Sequence, residues 1–101
     1  MLTINSEHVT LKFPDINEGD YINTDYFENI ATILGKHFSP GLIVTIKSRP
    51  LEADQDFNYL YLENQLISPD QLFDQFWKFR EDYWFKLPKA ITRHNHITLK
   101  Y

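Results

Sequence analysis

The chain has no cysteine, three glycines among its 101 residues, and no long apolar run. Without cysteine it forms neither a disulfide nor a thiolate metal site, and so few glycines leave little material for a phosphate-binding loop. The longest apolar runs, such as residues 42–44, are too short to cross a membrane, and residues 1–5 lack the features of a signal peptide. These absences exclude thiol redox chemistry and predict a soluble, cytoplasmic protein that does not bind membranes.

Acidic residues only moderately outnumber basic ones, with 14 acidic and 10 basic residues and a net charge of −4. This balance disfavours general binding to nucleic acid or to an anionic membrane, and it favours attraction to a basic partner. Aromatic residues make up 16% of the chain, which indicates an ordered core. A chain of this length is expected to form a single domain over residues 1–101.

Four segments have the alternation or the β-branched composition of strands. The first alternates with a period of two and places Val9, Leu11 and Phe13 on one face, where they would point into the core. Residues 2–5 either extend this strand or form a short separate one. The predicted strands are residues 8–13, 42–47, 57–62 and 97–101.

Two segments have the apolar periodicity of helices. Thr24 is the predicted N-cap of a helix over residues 25–35, which continues to about residue 38 if Gly35 does not end it. Ser68 begins a capping box with proline at the first helical position, and it predicts a second helix over residues 69–86.

The resulting order of elements is β-α-β-β-α-β. It predicts an α+β fold of the ferredoxin-like type, in which two helices pack on one face of a four-stranded antiparallel sheet. The alternative is a different α+β fold in which residues 2–13 form a hairpin and the helices pack in another way.

The third predicted strand has two apolar sides, because Phe57, Tyr59 and Tyr61 alternate with Leu60 and Leu62. Only one side can belong to the core of a small two-layer domain. The inward residues of the flanking strands are aliphatic, so we expect the leucines to continue that apolar layer. The tyrosines would then face outward, toward a partner, a second copy of the chain, or water.

Basic residues and histidines are expected on the same outward face as the tyrosines. Aromatic side chains with basic neighbours on a central strand resemble the base-stacking surface of RNA-recognition domains. The RNP1 motif of those domains needs a basic residue and glycines in this strand, and residues 56–61 contain neither. The sequence therefore gives little support to nucleic-acid binding.

Two patterns resemble metal sites without meeting their full requirements. His94 and His96 lie on one side of the last predicted strand, and His8 on a neighbouring strand would complete a zinc-ligating trio, although such pairs are more often merely solvated. The acidic residues around Asp54 alternate as in a calcium loop, but Tyr59 stands where that loop needs glycine. We therefore predict no metal and no cofactor.

Acidic residues concentrate in loops that the predicted fold gathers at one end. Asp20 belongs to the loop after the first long strand, and Glu52, Asp54 and Asp56 belong to the connection between the next two strands. Their combined field would speed the capture of a basic protein without contributing much to stability. The alternative is that these acidic residues simply belong to ordinary solvated loops and bind no partner.

The second predicted helix carries an apolar stripe wider than one sheet face requires, and its residues are Leu72, Phe73, Phe76, Trp77, Phe79, Tyr83, Trp84 and Leu87. Core packing explains most of this stripe, but Trp77 or Phe85 would be left for a partner, since aromatic residues dominate binding hot spots. Arg80 falls within the stripe. Either its stem lies over apolar surface with the guanidinium in water, or it pairs with a buried carboxylate such as Glu28.

No catalytic triad, nucleophile elbow or zinc-protease motif occurs, so the chain is predicted not to be an enzyme. We predict a small acidic protein-binding module, of the inhibitor or immunity-protein type, that acts on a basic protein. The alternatives are a homodimerising structural or regulatory domain and, with less support, a nucleic-acid-binding domain that uses the aromatic sheet face. The predicted contact residues are Glu52, Asp54, Asp56, Asp20, Tyr59, Tyr61 and Trp77.

Overall fold

A computed structural model of the chain describes residues 2–6, 8–16, 24–51, 55–88 and 95–100. It has α+β architecture, with two α-helices and a five-stranded mixed sheet. A short 3-10 helix, Trp84–Lys86, follows the second α-helix. The elements are β1 (Leu2–Asn5), β2 (Val9–Phe13), α1 (Thr24–His37), β3 (Leu42–Leu51), β4 (Gln55–Asn64), α2 (Pro69–Asp82) and β5 (Asn95–Leu99).

The strands lie in the order β1-β2-β3-β4-β5. β1 and β2 form an antiparallel hairpin, and β3 and β4 form a second one. The other two neighbouring pairs, β2 with β3 and β4 with β5, are parallel. Each parallel pair is joined by a helix, because parallel strands need a crossover connection that returns the chain to the same end of the sheet. The fold is therefore a hairpin followed by two β-α-β units.

The predicted α+β class is confirmed, but the predicted four-stranded antiparallel sheet is wrong. A β-α-β unit can return its second strand directly beside the first, or one position further away and leave a gap for another strand. Both arrangements have the same element order and bury the same helix faces, so local periodicity does not distinguish them. Residues 2–5 form a separate strand in a hairpin with β2, as the alternative prediction proposed.

Both helices cover the same face of the sheet, and the core lies between the two layers. Val9, Leu11 and Phe13 point into it as predicted, and the rings of Phe13 and Phe27 meet edge to face with centroids 5.0 Å apart. The predicted orientation of β4 is also found. Leu60 and Leu62 are fully buried on the helix-covered side.

The helix boundaries follow their caps only in part. The predicted capping box begins α2: the backbone N–H of Gln71 donates to Ser68 Oγ at 3.2 Å, and the N–H of Ser68 donates to Gln71 Oε1 at 3.1 Å. This helix ends at Asp82, short of the predicted residue 86, and a 3-10 turn follows. In α1 the chain stays helical through Gly35 as far as His37.

Buried polar side chains connect segments that are distant in sequence. Asn64 Nδ2 donates to the carbonyl oxygens of Pro40 at 3.2 Å and Ser39 at 3.4 Å, while its Oδ1 accepts from the N–H of Leu66 at 2.8 Å. Gln75 Nε2 donates to Ser39 Oγ at 2.7 Å. These bonds fix the turn after α1 to the end of β4 and to α2.

A second buried polar group lies at the start of β5, where α1, β4 and β5 meet. Asn95 is 2% exposed, and its Oδ1 accepts from Asn58 Nδ2 at 3.2 Å. Its Nδ2 donates to the hydroxyl of Tyr26. Because buried amides are costly without partners, this cluster favours one register of β5 against β4.

Candidate protein-binding surfaces

One face of the sheet carries no helix among the described elements. Its centre is formed by Tyr59 and Tyr61, which are half-buried and whose rings stack with centroids 6.4 Å apart. The Nζ atom of Lys47 lies 5.9 Å from the centroid of the Tyr61 ring. The ring of His96 meets that of Tyr59 edge-on at 5.7 Å. The tyrosines therefore face outward, as predicted, and pack against each other and their neighbours.

The remainder of this open sheet face is polar. Lys100 Nζ lies 3.6 Å from Glu63 Oε1, and Thr10, Thr45 and Thr98 lie on the same face. Such alternation is typical of a sheet with one solvated side, so the face as a whole does not demand a partner. Besides the tyrosines it carries Thr10, Lys12, Ile43, Thr45, Lys47, Glu63, His96, Thr98 and Lys100.

A larger apolar surface lies on the helical side of the domain. Phe73, Trp77 and Phe85 are 45%, 42% and 61% exposed, and we call these three residues with Arg80 the α2 aromatic surface. The rings of Phe73 and Trp77 meet edge to face with centroids 5.9 Å apart. These side chains form a contiguous patch, which scattered single apolar residues on a surface would not do.

Arg80 is enclosed by rings on this surface. The central carbon of its guanidinium lies 5.4 Å from the ring centroid of Phe76, 5.5 Å from that of Trp77 and 4.9 Å from that of Phe85. Its Nε is buried and has no hydrogen-bond partner in the described part of the chain. The guanidinium is thus in cation–π contact with three rings, and it forms no ion pair with Glu28, which the structure also describes.

The orientation of α2 determines where this surface lies. The opposite flank of the helix faces α1, since Gln75 bonds to Ser39 and the ring of Phe79 lies 5.2 Å from that of His37. Phe73, Trp77 and Arg80 recur at spacings of four and three residues, which places them on one side of the helix. The α2 aromatic surface therefore faces away from α1.

Acidic side chains border the α2 aromatic surface. Asp70, Asp74 and Glu81 are all exposed and lie three or four residues from Phe73 or Trp77, so they are neighbours of these rings on the helix. Lys78 lies beyond these acidic residues on the helix, on the side that faces Lys36 and the end of α1. The arrangement is an aromatic centre with carboxylates along one margin.

The predicted contact residues do not form one surface. Trp77 lies in the helical layer, whereas Tyr59 and Tyr61 lie on the far side of the sheet. Asp20, Glu52 and Asp54 lie outside the described residues, and so does the side chain of Asp56, so the acidic end of the domain stays a prediction. The described strand ends that flank these acidic segments, at Phe13, Leu51 and Gln55, do lie at the same end of the sheet.

Two features of the α2 aromatic surface were missed from the sequence. Phe73 was assigned to the core stripe, and Arg80 was not expected to contact three rings. The spacing of Phe73, Trp77 and Arg80 was the available signal. It was insufficient because an apolar stripe does not show which of its margins the sheet covers.

The three histidines that were considered as zinc ligands do not lie on neighbouring strands. His96 belongs to β5 and His8 immediately precedes β2, and β3 and β4 lie between these strands. The expectation that they occupy neighbouring strands is therefore wrong, while His94 lies outside the described residues. Within the ranges that the structure describes, no three histidine or carboxylate side chains come close enough to hold a metal ion.

Comparison of the chain with protein-family models, with curated protein sequences and with solved structures gives no match. Functional inference therefore rests on the surfaces themselves. Among the described helices, none is both long enough and apolar enough to cross a membrane.

Proposed function

We propose that the chain is a protein-binding domain and that the α2 aromatic surface is its principal contact surface. The observation that carries this proposal is the exposure of Phe73, Trp77 and Phe85 around Arg80. Tryptophan and arginine are among the residues that contribute most to binding energy at interfaces. Leu72, Phe76 and Phe79 already pack α2 against the core, so the exposed aromatic residues are not needed for that packing.

The partner that suits this surface is a protein with an apolar pocket bordered by lysine or arginine. Trp77 would enter the pocket, and Asp70, Asp74 and Glu81 would face the basic residues at its margin. The net charge of −4 and the predicted acidic end, with Asp20, Glu52, Asp54 and Asp56, favour the same kind of partner by long-range attraction. An inhibitor or immunity-type protein has these properties.

A second copy of this chain fits the α2 aromatic surface less well than a basic protein does, because of the charges around that surface. In a two-fold symmetric dimer the same patch meets itself, so the acidic margin of one copy would lie near that of the other. Like charges brought together at an interface cost free energy. Nor does the surface suit catalysis, since a convex helix side offers no concave site with convergent polar groups.

A peptide-display selection tests the proposal without knowledge of the natural partner. Peptides selected on the intact chain should combine an apolar residue with lysine or arginine. The Kd of a selected peptide should rise about 30-fold in Trp77→Ala, which corresponds to about 2 kcal/mol for an aromatic hot spot. Tyr61→Ala is the matched control on the opposite side of the domain, and its Kd should stay close to that of the original chain.

The alternative functions give other results in the same variants. Loss of binding in Tyr61→Ala but not in Trp77→Ala would place the contact surface on the open sheet face. Sedimentation of the chain alone distinguishes the homodimer, because a dimer that Trp77→Ala converts to a monomer would show that the α2 aromatic surface binds a second copy. Either result overturns the proposal.

A further inference from the structure

A cavity of about 140 Å³ lies between the helices and the sheet, apart from the surfaces described above. It occurs where α2 gives way to the 3-10 helix, so the helical layer is incomplete at that point. Protein interiors are normally packed with few voids larger than a water molecule, and a gap of this size is therefore unusual. The cavity is lined by Ile30, Ile33, Leu34, Leu60, Phe79, Tyr83, Trp84, Leu87 and Ile97.

The cavity has a closed floor and a mouth. Leu34, Leu60 and Phe79 are almost completely buried and form its inner wall. Ile33 and Tyr83 are half-buried and lie on opposite sides, one on α1 and the other just after α2. The side of the cavity nearest to solvent is therefore the side that Ile33 and Tyr83 border.

We propose that this cavity binds a small uncharged apolar molecule of about the size of benzene. Among the residues that the structure describes, no charged side chain lines it, and the polar side-chain groups of the described lining are the hydroxyl of Tyr83 and the indole N–H of Trp84. A cavity of about 150 Å³ lined by leucine, isoleucine and phenylalanine stays dry and binds benzene or xenon. A ligand with several polar groups would lose more hydrogen bonds to water than these two groups can replace.

Thermal unfolding of the intact chain in the presence of benzene tests this binding. At about five times the Kd, the unfolding midpoint should rise by about 4–8 °C, as expected for a ligand that binds only the folded state of a domain of this size. Phenol is the matched probe, since it has the same ring with one hydroxyl group. It should give a smaller rise, because Leu34, Leu60 and Phe79 of the inner wall have no polar side-chain group, and the hydroxyl keeps a partner only where it reaches Tyr83 or Trp84.

Two substitutions identify the cavity as the binding site. Ile97→Phe fills the inner space and should abolish the rise in midpoint with benzene. Ile43→Phe adds the same bulk on the open sheet face and should leave that rise unchanged. If the filling variant does not fold, Ile33→Trp replaces it, because a larger side chain at the half-buried mouth should prevent entry without disturbing the inner wall.

Methyl NMR of the unsubstituted chain under xenon provides a measurement that needs no variant. Resonances of Leu34, Leu60 and Ile97 should shift with xenon pressure, while those of Ile43 should not. Equal shifts at all methyl groups would overturn the proposal, as would a midpoint that benzene lowers or leaves unchanged. Failure of these tests would not affect the proposed protein-binding function, which depends on a different surface.

Discussion

The two helices have the same length and cover the same face of the sheet, yet they differ in what they leave exposed. In α1 the apolar residues Phe27, Ile30, Ala31 and Leu34 are buried, and the remaining large ones are half-buried. In α2 a comparable set is buried, but Phe73 and Trp77 stay exposed on a second side of the helix. One apolar side is thus enough to attach a helix to this sheet, and the second side of α2 requires another explanation.

The contrast between the two sides of α2 gives the largest expected effect. Phe79 is 1% exposed and its ring lies near those of Phe38 and Tyr83, so Phe79→Ala should lower the free energy of unfolding by about 3–5 kcal/mol. Trp77→Ala should lower it by only about 0.5–1.5 kcal/mol, because its ring is 42% exposed and loses contacts with Phe73 and Arg80. Denaturant unfolding measures both. Equal losses would mean that Trp77 is part of the core, and α2 would then have no second apolar side available to a partner.

The two faces of the sheet give the next largest difference. Leu60→Ala removes a fully buried side chain from β4 and should cost about 2–5 kcal/mol. Tyr61→Ala removes an outward ring stacked on Tyr59 and should cost about 0.5–1.5 kcal/mol, the contribution of such an aromatic pair. Both values come from chemical denaturation. A tyrosine variant as unstable as the leucine variant would show that a further layer covers this face.

Alternation along β4 shows how far the sequence determines the structure. Its period of two places Leu60 and Leu62 in the core and the tyrosines outside, because successive side chains of a strand point to opposite faces. Likewise, Ser68 and the residues after it determine where α2 begins, because a capping box needs only contacts within one helical turn. Features that depend on local geometry were therefore predictable.

The arrangement of the strands was not predictable from the same evidence. The pairing of β2 with β3 joins residues more than thirty positions apart, and nothing in the periodicity of either strand identifies its neighbour. One of the cation–π contacts of Arg80 has the same origin. Phe76 and Trp77 lie four and three residues before Arg80 on the same helix, but the contact with Phe85 requires α2 to end at Asp82, where the periodic pattern predicts a continuous helix.

Long-range hydrogen bonds at the end of α1 give a third, intermediate prediction. Asn64→Ala would leave the N–H of Leu66 and the carbonyl of Pro40 without their side-chain partner. The free energy of unfolding should then fall by about 1–3 kcal/mol, because the Asn64 side chain makes three hydrogen bonds and each contributes about 0.5–1.5 kcal/mol. Asn5→Ala, on an exposed part of β1, is the matched control and should change stability by no more than about 0.5 kcal/mol. Equal effects would show that the turn after α1 does not depend on Asn64.

The smallest expected effect concerns the start of α2. Ser68→Ala removes the Oγ atom that accepts the N–H of Gln71, and it should lower the free energy of unfolding by about 0.5–2 kcal/mol. Ser68→Thr keeps a hydroxyl in the same place and should retain most of the stability, whereas Ser68→Gly should cost only a few tenths of a kcal/mol.

Amide hydrogen exchange measures the effect of the cap on each helix separately, beside the global free energy of unfolding. In the alanine variant the first turn of α2 should exchange faster while the buried amides of α1 respond only to the global change, because fraying is confined to the uncapped end. Equal local acceleration in both helices would mean that they open as one unit, and the two sides of α2 could then not be treated as independent of the core.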